Sequence, residues 1–458
     1  MISRFARTFV TTLILLGTSA GLSLAGGKRA GHRVQFGVDT YLGIYHLGTE
    51  LGSDIKPSAV DRTNYLNAAR ALGISTIRED IGPWAEIQPR EGGGYHFQVI
   101  DDIVRKASQR GLDILALVYF FPPWATVGEN RPWSFAHGEG LDGRYQLPLR
   151  KNKAAFKEFV KALVSRYCGC QPDSLQLKKP VREWLFMNEP NGYGRQFLDP
   201  NQYAYWLKIF YEQIKSIDPG ATVVAPAIAD PGVWRNNRLS GEFVNRLLSS
   251  KELQGPHYPY FDVMDFHPYP RGMGTPNQPN LYGANVSYAF LREVMLEHKL
   301  NLPMWVTEIG DDSTDLTLQA DRIVKYVVQA AASGVDRVYV LGLWDFNKKL
   351  NHGHAWGLLA EAPSGQVPVP KPSFVAYQTL VHAISNNRGI YFLGPGRYQA
   401  LLDSGKTLYI LWSAGKCSPA PTFLHGRIKV TNLQDQTREI NAAELKLTEH
   451  PVLVQPVE

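Results

Sequence analysis

The stretch 98-QVIDDIVRKASQRGLDILALVYF-120 decides the fold class of this 458-residue chain. Residues 98–110 have the apolar spacing of an amphipathic helix, Gly111 breaks that helix, and 113–120 is an almost continuous apolar run. A run this apolar does not suit an antiparallel strand with one face in water. It predicts a parallel strand that is buried on both faces.

The same order of helix, break and apolar strand recurs from residue 30 to about 385. Helices are predicted at 58–72, 98–110, 152–167, 202–217, 286–299 and 318–333. Strands are predicted in 34-VQFGVD-39, 74-ISTIRE-79, 113-DILALVYF-120, 181-VREWLFMNE-189, 221-ATVVAPA-227, 261-FDVMDFHPY-269, 303-PMWVTE-308 and 336-DRVYVLGLWD-345. Eight such units predict a (β/α)8 TIM barrel with insertions over residues 30–386.

A doubly wound α/β sheet is the second interpretation of this pattern. Neither G-x-G-x-x-G nor G-x-x-x-x-G-K-[ST] stands where a strand meets a helix, which disfavours a nucleotide-binding sheet. After about residue 387 the pattern changes to short strands separated by turn residues, at 397–404, 406–413, 426–432 and 445–456. No convincing helix lies among them, so residues 387–458 are predicted to form a small β-sandwich packed on the barrel.

The first 25 residues have the features of a secretory signal peptide. Arg4 and Arg7 precede the apolar stretch 8-TFVTTLILLGTSAG-21, and small residues follow at 23–25. A single membrane anchor is the alternative, but this stretch is short and broken by Gly and Ser. No later segment is long and apolar enough to span a bilayer. We therefore expect a secreted or periplasmic protein, of bacterial type because the signal is short and the two-domain plan compact.

Charge and cysteine content narrow the classes of partner. The formal net charge is +6 without a Lys/Arg-rich block, so nucleic acid is not expected, whereas an acidic polysaccharide stays open. Among Cys168, Cys170 and Cys417 one disulfide can form outside the cytoplasm, and the sequence does not decide which. The Cys-x-Cys pair and the pair His352 and His354 are weak metal signals, so no catalytic metal and no cofactor is predicted.

Polar and aromatic residues stand at the ends of several predicted strands, where barrel enzymes carry their chemistry. Each has an ordinary structural explanation on its own, because strand-end carboxylates are usually solvated and a Trp is usually core. Their joint position at strands two, four, six, seven and eight is harder to explain that way. These residues are Arg78, Asn188, Glu189, His267, Tyr269, Glu308 and Trp344.

Glu189 and Glu308 end the fourth and seventh strands and are therefore expected to face each other across the barrel mouth. Paired carboxylates across a pocket suit glycoside hydrolysis, in which one is the acid and the other an ionised nucleophile or base. A nearby like charge raises the pKa of one of them, and an arginine or tyrosine hydroxyl beside the other keeps it ionised. Pro190 predicts an extended Glu189 at the strand end.

These motifs resemble the retaining glycoside hydrolases of clan A. The resemblance rests on Asn-Glu-Pro at 188–190, His-Pro-Tyr at 267–269, Thr-Glu-Ile-Gly at 307–310, Trp344 and the exit segment 357-GLLAEAPSGQVPVPKPSFVAY-377. Within the clan the chain looks most like family 39, the group of β-xylosidases, α-L-iduronidases and exopolysaccharide hydrolases, with family 5 close behind. The resemblance covers about residues 34 to 385.

The resemblance implies Glu189 as the acid/base and Glu308 as the nucleophile of a double displacement, through a covalent glycosyl–Glu308 intermediate. It implies that Arg78 and Tyr269 hydrogen-bond the nucleophile. For the remaining residues it implies sugar contacts: Asn188 to the 2-hydroxyl, His267 lining the cleavage subsite and Trp344 forming its floor. It implies no catalytic metal.

Long loops around the expected mouth bear on the substrate. They span 40–57, 121–151, 268–284 and 345–372 and carry Tyr41, Trp124, Trp133, Tyr282 and Trp356. Aromatic-bearing loops suit several sugar subsites, so we expect endo action on an exopolysaccharide or plant-type polysaccharide, with Trp124 among the binding residues. An exo-acting enzyme such as a β-xylosidase, a non-catalytic glycan-binding barrel and a glycosyl-transferring enzyme are the alternatives, because the aromatics can also simply pack the loops.

Overall fold

Eight parallel strands close into a barrel. The computed structural model describes residues 32–43, 57–128, 147–192, 198–229, 241–269, 284–345, 355–413, 415 and 417–457, with the backbone of 234–235 and 238–239. The strands are β1 Gln35–Asp39, β2 Thr76–Pro83, β3 Asp113–Tyr119, β4 Glu183–Phe186, β5 Thr222–Ala229, β6 Val263–His267, β7 Met304–Ile309 and β8 Arg337–Val340. Their order is β1-β8-β7-β6-β5-β4-β3-β2, closed, which confirms the barrel over an open doubly wound sheet.

A helix follows each barrel strand. The helices are α1 Ala59–Ala71, α2 Gln98–Gln109, α3 Lys153–Tyr167, α4 Pro200–Ile217, α5 Glu242–Leu248, α6 Ala284–Glu297, α7 Leu316–Ala332 and α8 Pro372–Ile384. Shorter elements are the four-residue helices Trp84–Ile87 and Pro123–Thr126, the 3-10 turns Arg150–Asn152, Lys251–Leu253 and Ala442–Glu444, and the ribbon of Trp234–Arg235 with Arg238–Leu239. The sequence did not predict α5, which is short, or α8. None of the described helices is both long and apolar enough to cross a membrane.

Strand alternation fills the lower barrel with apolar and aromatic side chains. Leu115, Leu185, Val224, Trp305 and Tyr339 belong to one interior cluster. A Cβ on Gly37 would meet the Tyr339 ring at 2.5 Å, so the glycine makes room for that ring. Below it, Arg337 donates to Glu183 at 2.5 and 2.7 Å and lies 4.0 Å from the centroid of Trp305. The bottom of the barrel is therefore filled.

The C-terminal region is an antiparallel sheet packed on the barrel. Its strands are β9 Asn387–Gly394, β10 Arg397–Leu402, β11 Thr407–Leu411, β12 Arg427–Thr431, β13 Thr437–Asn441 and β14 Val452–Pro456, in the order β9-β10-β11-β14-β12-β13. A second sheet pairs Ser418–Pro419 with Lys446–Leu447. These sheets fit the predicted sandwich, whereas the domain boundary at residue 387 stays a prediction. The sequence did not predict β9, which directly follows α8, or β13, which is polar.

Alternate residues of the C-terminal sheet face two different cores. Ile410 and Trp412 join the large core that includes the barrel and its helices. Leu411 faces a separate small core that also contains Leu445 and Leu447. The sheet therefore lies between the barrel and the small second sheet, as a sandwich requires.

The cysteines pair locally. Cys168 and Cys170, just after α3, form a disulfide, and Cys417 is an exposed free thiol. This pairing answers what the sequence left open. The predicted signal peptide, the loop residues Trp133 and Tyr282 and the pair His352 and His354 lie outside the described residues.

Candidate active site

The two predicted carboxylates meet at one histidine. His267 Nδ1 lies 3.0 Å from Glu189 Oε1 and 3.6 Å from Glu308 Oε2. Ligand-type atoms of all three side chains lie within 4.8 Å of one another. Retaining glycosidases keep their two carboxyl groups about 5–5.5 Å apart, and inverting ones about 6.5–9.5 Å. One carboxylate oxygen of Glu189 and one of Glu308 therefore lie within 4.8 Å of each other, which is closer than the inverting range.

A bulge in β7 turns two consecutive side chains into the barrel. Val306 pairs with Val338 and Ile309 with Val340, so β7 has one residue more than β8 over this interval. Without the extra residue, Thr307 and Glu308 would face opposite sides of the sheet. With it, Thr307 contacts His267 inside the barrel while Glu308 also points inward, which is the re-aiming that bulges provide near active sites.

The backbone that presents Glu189 is left-handed. β4 ends at Phe186, and φ is +61° at Met187 and +45° at Glu189. The prediction that Pro190 keeps Glu189 extended is therefore wrong. Hydrogen bonds override the pre-proline bias, because Glu189 N donates to Ala227 O at 3.1 Å and Gly192 N donates to Glu189 O at 2.9 Å.

Asn191 fixes this turn to the neighbouring strand. Its Nδ2 donates to Ala229 O at 2.8 Å, and Ala229 N donates to its Oδ1 at 3.0 Å. The buried amide thus replaces a strand partner at the end of β5. It holds the segment that carries Glu189, a role that the sequence did not reveal.

Arg78 connects three of the barrel strands at the mouth. The buried guanidinium donates from Nη1 to Glu308 Oε1 at 2.8 Å and to Asp39 Oδ2, and from Nη2 to Asn188 Oδ1 at 2.5 Å. Asn188 therefore presents its amide nitrogen as the remaining donor. The sequence pattern did not single out Asp39, although it ends an apolar strand just as Glu189 was expected to.

The surroundings of Glu308 favour its ionised form. Tyr269 donates to Oε2 at 3.0 Å, and Tyr41 donates to Oε1 at 3.4 Å. Burial raises the pKa of Glu308, but the charges of His267 and Arg78 and the hydrogen bonds from Tyr269 and Arg78 outweigh it and hold the pKa below its ordinary value. The contacts of Arg78 and Tyr269 are those that the resemblance implies, and their catalytic roles stay predictions.

Other carboxyl groups near Arg78 have raised pKa values. Burial, together with the charges of Glu308 and Glu79, raises the pKa of Asp39 to about 7 against the opposing charge of Arg78. Burial also raises the pKa of Asp80 well above its ordinary range. Neither carboxyl oxygen of Asp80 has a hydrogen-bond partner within the described part of the chain. Negative charge at this end of the barrel is therefore favoured on the carboxylate that both Arg78 and His267 contact, which is Glu308.

His267 lies at the centre of a buried polar chain. Its Nε2 is 3.0 Å from Thr307 Oγ1, which donates to Asp265 Oδ2 at 2.7 Å. Burial lowers the pKa of the imidazole, but the charge of Glu308, the hydrogen bond with Glu189 and the charge of Asp265 raise it to about 8. Asp265 and Thr307 were missed as site residues. Their only signal is that they interrupt apolar strands.

Trp344 follows β8 and is held on one side. Its Nε1 donates to Thr40 O at 2.9 Å, and its ring stacks on Tyr65 with 4.9 Å between centroids. The backbone of Gly357 also packs closely against the backbone of Trp344, because a Cβ on Gly357 would lie 2.1 Å from the Trp344 carbonyl carbon. Its role as the floor for a sugar ring stays a prediction.

Two of the loop tryptophans differ in where they pack. Trp124 is buried, donates from Nε1 to Gln88 O at 3.1 Å and meets Trp84 edge-on at 5.0 Å. None of the hydrogen bonds and ring contacts described for Trp124 involves Glu189 or Glu308, and its predicted role in substrate binding stays a prediction. Trp356 lies edge-on to Tyr269 at 5.4 Å, beside the Glu308 cluster.

The same cluster is poorly suited to a metal ion. Within the described ranges, Glu189, His267 and Glu308 are the group that brings three ligand-type atoms together. A metal needs a neutral imidazole and free carboxylate oxygens. Here Arg78 already places a positive charge 2.8 Å from Glu308, and the raised pKa of His267 favours the imidazolium. The donor set therefore suits charged hydrogen bonds among these side chains better than a metal ion.

The chain matches no family model and no curated protein, but its fold matches solved glycoside hydrolases. A family 39 glycoside hydrolase from the gut symbiont Bacteroides cellulosilyticus has a TM-score of 0.64 at 18% identity, over 93% of this chain and 81% of that chain. A family 39 β-xylosidase from Caulobacter crescentus has a TM-score of 0.62 at 16% identity, over 94% and 98%. A family 30 endoxylanase from Clostridium papyrosolvens has 0.57 at 14%, over 93% and 97%.

Identities this low establish the fold and not the reaction. The matches extend over both the barrel and the C-terminal sheet, since each covers at least 93% of this chain. They confirm that the chain shares the fold of the family 39 glycoside hydrolases that its motifs resemble.

Proposed function

We propose that this protein is a retaining glycoside hydrolase. The observation that supports it most directly is the short separation of Glu189 and Glu308 around His267, with the pKa of Glu308 held low by Arg78 and His267. An ionised carboxylate at that distance from a second carboxyl group is the equipment for attack on an anomeric carbon.

The reaction runs in two displacements. A Glu308 oxygen forms an ester bond to the anomeric carbon as the bond to the leaving oxygen breaks, and the proton of Glu189 goes to that oxygen. Water then attacks the same carbon, Glu189 takes a proton from this water, and the ester bond breaks to return Glu308 as a carboxylate. The two inversions give net retention.

A non-catalytic glycan-binding barrel is the alternative from another class. The intact set of Glu308, its donors Arg78 and Tyr269, and the facing Glu189 argues against it. A protein that only bound glycans would have no need for a buried arginine to keep one carboxylate ionised, because two buried charges are costly to retain.

For the substrate we propose an O-linked polysaccharide cut by endo action, an exopolysaccharide or a plant-type glycan. Support comes from the aromatic residues beside the site, including Trp356 next to Tyr269, and from the likeness to an endoxylanase of family 30. The likeness to a β-xylosidase supports exo action as the second candidate. Product size distinguishes the two.

The test is release of reducing ends from a broad panel of polysaccharides and aryl glycosides. Wild type, Glu308→Gln and Glu189→Gln are compared, with circular dichroism and thermal melting as controls for folding. Release by wild type alone supports the hydrolase and names the substrate class. Tight glycan binding without release by any variant would favour the binding protein, and equal release by wild type and Glu308→Gln would refute the nucleophile.

We also propose that the mature chain acts outside the cytoplasm. The disulfide between Cys168 and Cys170 supports this, because such bonds persist in oxidising compartments. N-terminal sequencing of the exported protein should find cleavage after about residue 25. A chain recovered from the cytoplasm with its first residues intact would contradict the proposal.

A further inference from the structure

A chain of buried polar groups lies behind His267, on the side away from Glu189. Thr307 contacts Asp265 twice: its Oγ1 donates to Oδ2 at 2.7 Å, and its backbone N donates to Oδ1 at 3.2 Å. The side chains of Asp265, Thr307 and His267 are fully buried. Thr307 faces inward in alternation with Trp305 of the interior cluster, and the bulge in β7 turns Glu308 inward beside it.

The hydrogen bonds determine which ring nitrogen of His267 carries a proton. Burial raises the pKa of Asp265 against the opposing charges of His267 and Arg78 and the hydrogen bond from Thr307. Beside a positively charged ring, ionised Asp265 can only accept, so both the N–H and the O–H of Thr307 are committed to it. Thr307 Oγ1 then meets His267 Nε2, 3.0 Å away, only with a lone pair. Nε2 must therefore be the donor, and Nδ1 is left for the two catalytic carboxylates.

Nδ1 lies between those carboxylates, 3.0 Å from Glu189 and 3.6 Å from Glu308. In a double displacement the negative charge moves between them. Glu308 is ionised at the start and neutral as an ester, while Glu189 is neutral at the start and ionised once it has given up its proton. A cation at Nδ1 faces the charged group at both stages.

We propose that Asp265 and Thr307 are positioning residues that hold His267 as an imidazolium, and that this one cation stabilises Glu308 before, and Glu189 after, the glycosyl–enzyme forms. The inference rests on the proposed function for its catalytic half. The protonation half concerns the free protein alone. The acidic groups that face the imidazole ring are Glu189, Glu308 and Asp265. Arg78 and Tyr269 influence the ring through their hydrogen bonds to Glu308.

The first test is a 15N NMR titration of the histidine rings in wild type and Asp265→Asn, with His267→Gln to assign the signal. In wild type the ring should lose its proton near pH 8 and keep the remaining one on Nε2. In Asp265→Asn the amide donates to Thr307 Oγ1, whose own hydrogen turns to Nε2. We expect the midpoint to fall by about one unit and the remaining proton to move to Nδ1.

The second test follows the alkaline limb of kcat/KM against pH in Thr307→Val and Thr307→Ser. Valine removes the hydroxyl at nearly constant volume, and the limb should move to lower pH with kcat reduced about 10-fold or more and KM little changed. Serine keeps the hydroxyl and should restore the wild-type limb. Asp262→Asn is the matched control, since Asp262 accepts from Val223 N at 2.8 Å at the opposite end of β6.

The outcomes separate this inference from the proposed function. An unchanged midpoint and an unchanged tautomer in Asp265→Asn, or in Thr307→Val if the first variant does not fold, would overturn the relay. If the His267 midpoint differs between wild type and Asp265→Asn as expected but wild type cleaves no glycan, the protonation half is supported and the catalytic half is overturned. A shift in Asp262→Asn equal to that in Asp265→Asn would also overturn the relay.

Discussion

Glu189 and Glu308 differ in the partners that surround them. Glu308 receives hydrogen bonds from Arg78 and Tyr269, whereas Glu189 shares Nδ1 of His267 and lies on a left-handed turn. The first arrangement stabilises an ionised carboxylate, as the proposed nucleophile requires. The second leaves a carboxyl group partly exposed, as the proposed acid/base requires for proton exchange with a leaving group.

Substrates whose leaving group needs no proton should therefore separate the two roles. With a dinitrophenyl glycoside of the right sugar, Glu189→Gln should release a burst of about one phenolate per enzyme and then slow down, because the base for the second step is missing. Glu308→Gln should show no burst. Stopped-flow absorbance and mass spectrometry of the glycosyl adduct on Glu308 check this, and identical behaviour of the two variants would contradict the assignment.

The buried carboxyl group of Asp80 leads to a second prediction, which concerns how stability depends on pH. Its folded-state pKa is raised by burial, so its contribution to stability is present below the unfolded pKa of about 3.9 and is lost as pH rises through the folded value. The melting temperature of Asp80→Asn, minus that of wild type, should therefore increase from pH 4 to pH 8. The exposed Asp173→Asn controls for loss of one negative charge. A difference that falls with pH would refute it.

Several site residues could be predicted because their identity alone is informative at a strand end. Glu189, Glu308, Arg78, His267 and Tyr269 do meet around one centre. The partners that complete the network could not be predicted in the same way. Asp265 and Thr307 lie within apolar strands, and the face of the sheet that they occupy follows from the strand register, which the sequence pattern does not give.

Among the elements, the turn after β4 does most to orient the acid/base candidate. Its left-handed Glu189 is held from both sides, by backbone hydrogen bonds and by the Asn191 amide bound to Ala229. The sequence predicted a rigid strand end here. The structure replaces it with a strained turn, whose geometry arises from contacts with β5 that no local pattern encodes.

Asn191→Ala should therefore lower kcat by about 10- to 100-fold with little change in KM, because the turn relaxes and Glu189 shifts. Stability should fall by about 1–3 kcal/mol, since the backbone groups of Ala229 lose their partners.

Asn387→Ala is the matched control for that prediction. Asn387 makes the same paired contact, with Val34 N at 3.1 Å and Val34 O at 2.9 Å, far from the site. It should lose similar stability and keep kcat. Equal losses of kcat in both variants would mean that Asn191 acts only on folding.

At the scale of the whole molecule, the barrel and the C-terminal sheet share one continuous core. Trp412 is buried, stacks on Tyr398 at 5.1 Å between centroids and lies 6.0 Å from Lys325 Nζ of α7. His450 on the sheet side also contacts Asp321 of α7 at 2.6 Å. Such an interface predicts that the two parts unfold together.

Calorimetry of Trp412→Ala tests this. We expect one transition, as in wild type, at a lower temperature, with a loss of about 3–5 kcal/mol from a buried tryptophan. Activity at 25 °C should be retained because Trp412 is remote from Glu189 and Glu308. Leu393→Ala, at an exposed position, is the control. Two separate transitions, with only one displaced, would show that the parts fold independently.

The fold as a whole was readable because helix and strand periods alternate through the barrel and change after α8. The elements that the sequence did not predict are those in which this contrast is weak. The polar edge strand β13 has no apolar alternation, and α5 is too short for a helical period to stand out. The packing and strand register that position the site residues depend on contacts between elements. The helical and strand periods of the sequence carry no information about those contacts.

The filled lower barrel closes the space around Glu189 and Glu308 from below. Tyr339 and Trp305 occupy the interior, and the Arg337–Glu183 pair closes it from below. Under the proposed function, the departing part of the glycan and the incoming water or second sugar therefore cannot use the lower end of the barrel. The ratio of hydrolysis to coupling then depends on which acceptor first reaches Glu308 from the side of the strand ends.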